Sequence, residues 1–196
     1  ISGKVTPSGK MTDSWAYKYE DYPNSKTFSH NNGNVNKEYY TEGLYVGYRY
    51  FDSFDVPVRY GFGYGLSYTT FETKVLSAVL KDNKIIVETE TTNTGNTYSG
   101  KEVVQLYATC PAGKLEKEYR RLAAFGKTGL LAPGQSEKMT LEIALDKLTS
   151  YSESEAAWVL EKGSYVIWTG NSLESSSPCT VLTLDADVIL TKTQNI

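Results

Sequence analysis

The sequence predicts a mainly β chain: a β-sandwich preceded by an irregular, aromatic-rich arm. Three observations carry that prediction. From Phe71 onward, short runs of β-branched and apolar residues alternate with polar ones at a period of two. Turn-forming clusters recur between these runs: Asp82-Asn83, "NTGN" from Asn93, "APGQ" from Ala132 and "EKG" from Glu161. Before Phe71 the composition shifts to Tyr, Asn, Gly and Asp. Long stretches there, such as "EDYPNSKTFSHNNGNVNKE", carry neither a helical nor a strand period.

Taken in order, the first strand-like run is "GLYVGYRYF", Gly43 to Phe51. One strand with long loops cannot enclose a core. Residues 1–73 are therefore expected to be the closing part of a domain whose body lies elsewhere. "KIIVETETT" and "EVVQLYA" are strands rich in β-branched residues. In "KMTLEIALD", Met139, Leu141, Ile143 and Leu145 share one face, with Thr140, Glu142 and Ala144 opposite. In "GSYVIWTG", Tyr165, Ile167 and Thr169 lie on one face, Val166 and Trp168 on the other. Pro133-Gly134 suits a type II turn, since proline presets its φ and glycine accepts φ > 0. "LDKLTSYSESEAAW" has room for a short turn of helix and no more. Short alternating strands over about 110 residues predict a sandwich of the immunoglobulin or fibronectin type III kind at 74–185. Residues 186–196 read as a linker or tail.

The bulk properties exclude several classes. The 196 residues carry a net charge of −3, and their 20 Lys and Arg form no cluster, which argues against nucleic acid as a partner. No apolar run approaches the ~20 residues that cross a membrane. Cys110 and Cys179 form no C-x-x-C pair, and with the single His30 they cannot make a usual zinc set. No metal or cofactor is expected, and the cysteines read as two unrelated thiols.

Candidate chemistry centres on Glu42. On a strand, Glu38 and Glu42 would share a face about 13 Å apart. That exceeds the ~5–5.5 Å of a retaining carboxylate pair and the ~6.5–9.5 Å of an inverting one. Alone, Glu42 would be a general acid only if its tyrosines buried it and raised its pKa. Pairing with Arg49 or with backbone amides is the simpler reading. Asp13 in "TDSW" reads as a loop aspartate beside a core indole. His30 in "FSHNNGN" has no neighbouring nucleophile and forms no triad. "GFGYG", Gly61 to Gly65, lacks the order, the helix and the lysine of a phosphate loop. Its glycines let the chain bend while Phe62 and Tyr64 pack. The 16 tyrosines suit sugar stacking and ordinary β-structure equally.

"PSGKMTDSW", "YYTEGLYVGYRYFD" and "YGFGYGLSYTTFE" occur here in order. They resemble the end of the α/β-sandwich domain of family 3 glycoside hydrolases, the β-glucosidase group. "TNTGNTYSGKEVVQLY", "LAPGQS" and "KGSYVIWTGNS" resemble that family's fibronectin type III-like domain. The resemblance runs from Thr6 to about Leu184. It implies an immunoglobulin-like β-sandwich preceded by the C-terminal strand and loops of an α/β-sandwich domain. It also implies a parent enzyme that cleaves terminal β-glucosyl residues with retention. The family's nucleophilic aspartate and acid/base glutamate are expected outside this chain, so Glu42 inherits no catalytic role. His30, Asn32, Tyr40, Glu42 and Arg49 would border the sugar site or support residues that do. The implied partners are the remaining α/β and (β/α)₈ barrel domains and a β-glucoside or oligosaccharide substrate, with a homo-oligomer left open. Tyr60-Gly61 stands where the family often has Tyr-Pro, and the "SHNNGNVNKEYYTEG" loop is long. Both features, with the run-on tail, resemble a subgroup in which these domains precede the barrel. Such proteins are often intracellular, so a bacterial cytoplasm is expected. An independent carbohydrate-binding or protein-interaction module, with an aromatic row near Trp168, remains the alternative.

Overall fold

The computed structural model describes residues 3–194. The arm opens with a two-residue strand, β1 (Trp15–Ala16), and then runs irregularly to a short helix, α1 (Tyr48–Ser53). Strand β2 (Val58–Tyr60) returns to pair antiparallel with β1, with Trp15 opposite Tyr60 and their rings edge-on at 6.2 Å. "GLYVGYRYF", expected as a strand, is thus a loop leading into α1. The reason lies in Gly47 and in the spacing of the rings. Gly47 sits at φ 59°, ψ −131°, which ends the extended path immediately before the helix. Helical spacing then puts Tyr48, Phe51 and Asp52 on one side, and Phe51 is buried against Tyr22 at 5.4 Å.

The sandwich begins with the hairpin β3 (Phe71–Lys81) and β4 (Lys84–Asn93). Asp82 and Asn83 both take positive φ, 49° and 58°, as a tight two-residue hairpin turn requires. Next come β5 (Val103–Thr109), β6 (Arg121–Lys127) and β7 (Ser136–Ala144). Pro133-Gly134 turns the chain into β7 with Gly134 at φ 77°. A 3₁₀ turn at Leu145–Leu148 follows, as the sequence allowed. Then come β8 (Ser150–Ser152), β9 (Ala157–Leu160), β10 (Gly163–Gly170), β11 (Ser177–Leu184) and β12 (Val188–Lys192).

One sheet has the order β3-β4-β7 and the other β11-β10-β5-β6, all antiparallel. Their facing sides enclose Ile85 and Val87 from β4, Val104, Leu106 and Ala108 from β5, Leu141 and Ile143 from β7, and Tyr165 and Ile167 from β10. A third sheet, β12-β9-β8, flanks them. The stretch expected to be a linker, 186–196, therefore carries a paired strand over 188–192, driven by the β-branched and apolar run Val188-Ile189-Leu190. Its last two residues lie outside the described range.

Two buried polar groups pin the sandwich. Tyr165, near the start of β10, donates its hydroxyl to the Glu161 carbonyl at 2.7 Å, the tyrosine corner typical of immunoglobulin-like sandwiches. Asn93 is fully buried and satisfied on both ends of its amide. Its Nδ2 donates to the carbonyls of Tyr98 and Leu131, both at 2.9 Å. Its Oδ1 accepts from Thr69 Oγ1 at 2.6 Å and from the Gly95 N–H at 3.1 Å. Asn93→Ala strands those partners in the interior and is expected to destabilise the fold by about 3 kcal/mol. Urea unfolding monitored by tryptophan fluorescence measures it, and a loss near zero would remove Asn93 from this role.

Candidate functional site

The inward face of β5 fills the sandwich core, and its outward face is equally covered. Gln105 and Tyr107 point away from the core, yet are only 3% and 0% exposed. The arm covers them. Phe62 and Tyr48 stand edge-on to the Tyr107 ring at 6.4 and 6.5 Å. Tyr107 donates its hydroxyl to Gln105 Oε1. Gln105 Nε2 in turn donates to the Asn171 carbonyl at 2.8 Å and the Gly63 carbonyl at 3.4 Å. Burial, chiefly, pushes the Tyr107 phenol well above its ordinary range. Gly63 has φ 79°, and the Gln105 amide occupies the space that a Cβ would need. The "GFGYG" segment is thus a backbone cradle for a glutamine amide, with Phe62 and Tyr64 packed on Tyr48 and Tyr60.

Beside this contact, Arg120 clasps α1 to the sandwich. Its Nε donates to Asp52 Oδ2 at 3.0 Å, and its Nη2 donates to Oδ1. Nη1 reaches the Leu173 carbonyl at 3.1 Å and Ser176 Oγ at 2.8 Å. The guanidinium also lies 5.1 Å from the Trp168 ring centre and 5.3 Å from that of Tyr119. Both charged side chains are largely buried, and the planar fork satisfies both carboxylate oxygens. Around it, Tyr48 Oη accepts the Leu122 N–H and Ser53 Oγ the Tyr119 N–H, each at 2.8 Å. Arg49 approaches Glu118 at 3.5 Å, and Glu118 also accepts from Arg121 at 2.9 Å. Farther along, Lys10 pairs with Glu102 at 2.9 Å.

A second buried pair shapes the loop between β5 and β6. Glu161 accepts from Lys117 Nζ and from the N–H groups of Lys114 at 2.7 Å and Leu115 at 3.2 Å. Burial alone would raise the Glu161 pKa. The bond from Lys117, the two backbone bonds and the Lys117 charge outweigh it and hold the carboxyl below its ordinary value.

Apart from these contacts, the arm carries exposed aromatic rings. Trp15, Tyr17, Phe28, Tyr39, Tyr40 and Phe54 are each at least half open. Trp15 is therefore no core indole, and Asp13 beside it bonds the Ser14 N–H. The five residues expected near a sugar site fall along this arm without converging. His30 sits in a turn at φ 70°. Asn32 staples its own loop, donating to the Lys37 carbonyl and accepting the Asn34 N–H, both at 2.8 Å. Tyr40 is 88% exposed. Glu42 is partly buried where its carbonyl accepts the Tyr45 N–H at 3.0 Å. Arg49 faces Glu118. Trp168 donates Nε1 to Thr109 Oγ1 at 2.9 Å and stacks with Arg120, so it forms no open aromatic row.

Among the described residues, no three His, Cys, Asp or Glu side chains are placed to hold a metal ion. No helix among them is long and apolar enough to cross a membrane. Cys110 and Cys179 are free thiols. They lie on opposite sides of β10, at least about 9.5 Å apart, beyond the ~7 Å reach of a disulfide.

This combination defines a fibronectin type III-like sandwich with an arm docked on its outer sheet. The family model for the fibronectin type III-like domain matches residues 102–173. Beta-glucosidase A of Butyrivibrio fibrisolvens is 41% identical over 90% of this chain and 23% of its own length. A β-glucosidase structure from Paenibacillus barengoltzii superposes with a TM-score of 0.93 at 40% identity, over 99% of this chain and 22% of that one. The GH3 β-glucosidase of Bifidobacterium adolescentis gives a TM-score of 0.86 at 31% identity, over 99% and 28%. Over these spans the chain is similar to β-glucosidases, one of them a family 3 glycoside hydrolase. It spans about a quarter of the length of these relatives.

Arg120→Ala leaves the Asp52 carboxylate buried and unpaired. It is expected to destabilise the chain by about 3–5 kcal/mol in denaturant unfolding, with Asp52→Asn milder. Because the Glu161 pKa is lowered on folding, its contribution is full above the ordinary value of 4.5 and is lost as pH falls through the lower folded value. Melting temperatures of the wild type should therefore drop in acid below pH 4.5, and Glu161→Gln should flatten that part of the drop. An unchanged acid slope in Glu161→Gln would dissociate Glu161 from it.

Proposed function

We propose that this chain is the bracing, non-catalytic part of a retaining family 3 β-glucosidase, which hydrolyses terminal β-D-glucosyl or related residues. The observation that carries the reading is the two-sidedness of the arm. Its inner side is fixed on β5 and β6 by buried rings and by the Arg120–Asp52 clasp, while its outer side leaves aromatic faces open. Open aromatic rings of this kind suit a surface that packs against a neighbouring domain. The bracing partners are then the other α/β and barrel domains of the enzyme. The two carboxylates of a retaining glycosidase stand ~5–5.5 Å apart, and we assign neither of them to this chain. His30, Asn32, Tyr40, Glu42 and Arg49 are read as bordering the sugar site or holding the loop that does.

The 196-residue chain alone is expected to show no turnover of a nitrophenyl β-glucoside; strong turnover would sink the proposal. In the full enzyme, Arg120→Ala should speed thermal inactivation with little change in KM. Glu42→Gln should alter kcat by less than about tenfold, with no rescue by azide. A loss of ~10⁴-fold or more that azide restores would make Glu42 a catalytic carboxylate instead.

A further inference from the structure

In the polar loop of the arm Asn32 is followed by Gly33, and no other asparagine of the chain precedes a glycine. The pair lies in a tight turn. Ser29, His30 and Gly33 take positive φ of 53°, 70° and 78°, and the Gly33 N–H closes the turn on the His30 carbonyl at 2.9 Å. No atom lies within 4 Å of where a Cβ on Gly33 would stand, so water and a rearranging backbone both have room. Residues 33–41 are all exposed, and a turn held at the surface opens at small cost.

Two bonds hold the Asn32 side chain. Its Oδ1 accepts the Asn34 N–H at 2.8 Å, and its Nδ2 donates to the Lys37 carbonyl at 2.8 Å. The first draws electrons toward Oδ1 and makes Cγ the better electrophile. The same N–H would stabilise an oxyanion formed at Oδ1. The second ties residue 32 to residue 37 across the loop. Asparagine is among the thermolabile side chains. Here an activated amide, a following residue with no side chain and open surroundings coincide.

We propose that Asn32 is a self-modification site: it deamidates through a cyclic imide formed with Gly33, and the conversion releases the loop at Lys37. As the turn opens, the Gly33 nitrogen leaves the His30 carbonyl, gives its proton to hydroxide and bonds to Asn32 Cγ. The Cγ–Nδ2 bond breaks, and Nδ2 takes a proton from water and departs as ammonia. Water then opens the imide. Cleavage at Cγ leaves aspartate at position 32. Cleavage at the main-chain carbonyl carbon leaves isoaspartate, with the chain routed through the side chain. Nothing is oxidised or reduced, and water is the sole co-reactant. In the aspartate product an oxygen stands where Nδ2 met the Lys37 carbonyl, so two acceptors repel. In isoaspartate the backbone is one carbon longer. Either product loses the tie to Lys37 and adds a negative charge.

The test needs no turnover, so its failure is separable from failure of the proposed function. The 196-residue chain is incubated at mildly alkaline pH in heavy-oxygen water, and its peptides are followed by mass spectrometry. Asn32 is expected to convert at least about tenfold faster than Asn31 or Asn34, whose following side chains, Asn32 and Val35, hinder ring closure. It should yield both aspartate and isoaspartate, each carrying one solvent oxygen, and should slow in mild acid. Asn32→Gln would have to close a larger ring and should lose the signal. The release is read separately. Asn32→Asp should speed trypsin cleavage after Lys37 by about fivefold, since the carbonyl of that bond is the one Asn32 Nδ2 holds. Conversion of Asn32 no faster than that of Asn31 and Asn34, aspartate without isoaspartate, or an unchanged cleavage rate in Asn32→Asp would each overturn the proposal.

Discussion

The burial of β5 on both faces is the constraint on which the rest of the structure depends. An antiparallel sheet of a sandwich ordinarily shows one face to the core and the other to water. Here the outward face carries Tyr107 and Gln105, a large ring and an amide that are costly to leave half-satisfied. The arm meets that need with Tyr48, Phe62 and the Gly63 carbonyl. The dependence is mutual. Among the described residues of the arm, Phe51 is the one apolar side chain that is buried, so the arm has little core of its own and takes its rigidity from the sandwich. The Arg120–Asp52 pair then fixes the angle of α1. A bidentate fork tolerates little rotation, and the rings of Trp168 and Tyr119 confine the guanidinium further.

Much of the sandwich was legible because period-two alternation reports directly on a half-buried sheet. Leu141 and Ile143 on β7, and Tyr165 and Ile167 on β10, turn inward as their spacing requires. "GLYVGYRYF" misled because aromatic residues at nearly every position fit a strand and a helix face alike. Only tertiary contacts choose Tyr48 and Phe51 as the packed pair. The tail 186–196 reads as a linker because it is short and polar at its ends, although the apolar run Val188-Ile189-Leu190, with two β-branched residues, is itself a strand signal. Arg120 gave no local sign. It lies in "EKEYRRLAAF", and its partner Asp52 is 68 positions away, so the pair exists only once the chain has folded. Asn93 announced a turn through "NTGN", but its role as a hub needs the Leu131 carbonyl, 38 positions on.

The same division holds for function. The motifs resemble those of a known family and turned attention away from Glu42 as a catalyst. They could not reveal what the arm does for the sandwich, or that one end of the core is lined with hydroxyls. Buried Thr89, Thr91 and Asn93 of β4 and Thr169 of β10 supply that polar end from the two facing sheets. Exposed aromatic rings on a firmly docked arm suit the proposed brace between domains, since rigidity and adhesion are separate requirements.

Native-state hydrogen exchange tests the central claim most directly. If arm and sandwich form one cooperative unit, the amides of Phe51, Gly63 and Tyr64 should open with the same free energy as those of β5, near the global value. Exchange of 48–65 at a much lower free energy, while β5 keeps full protection, would contradict the account.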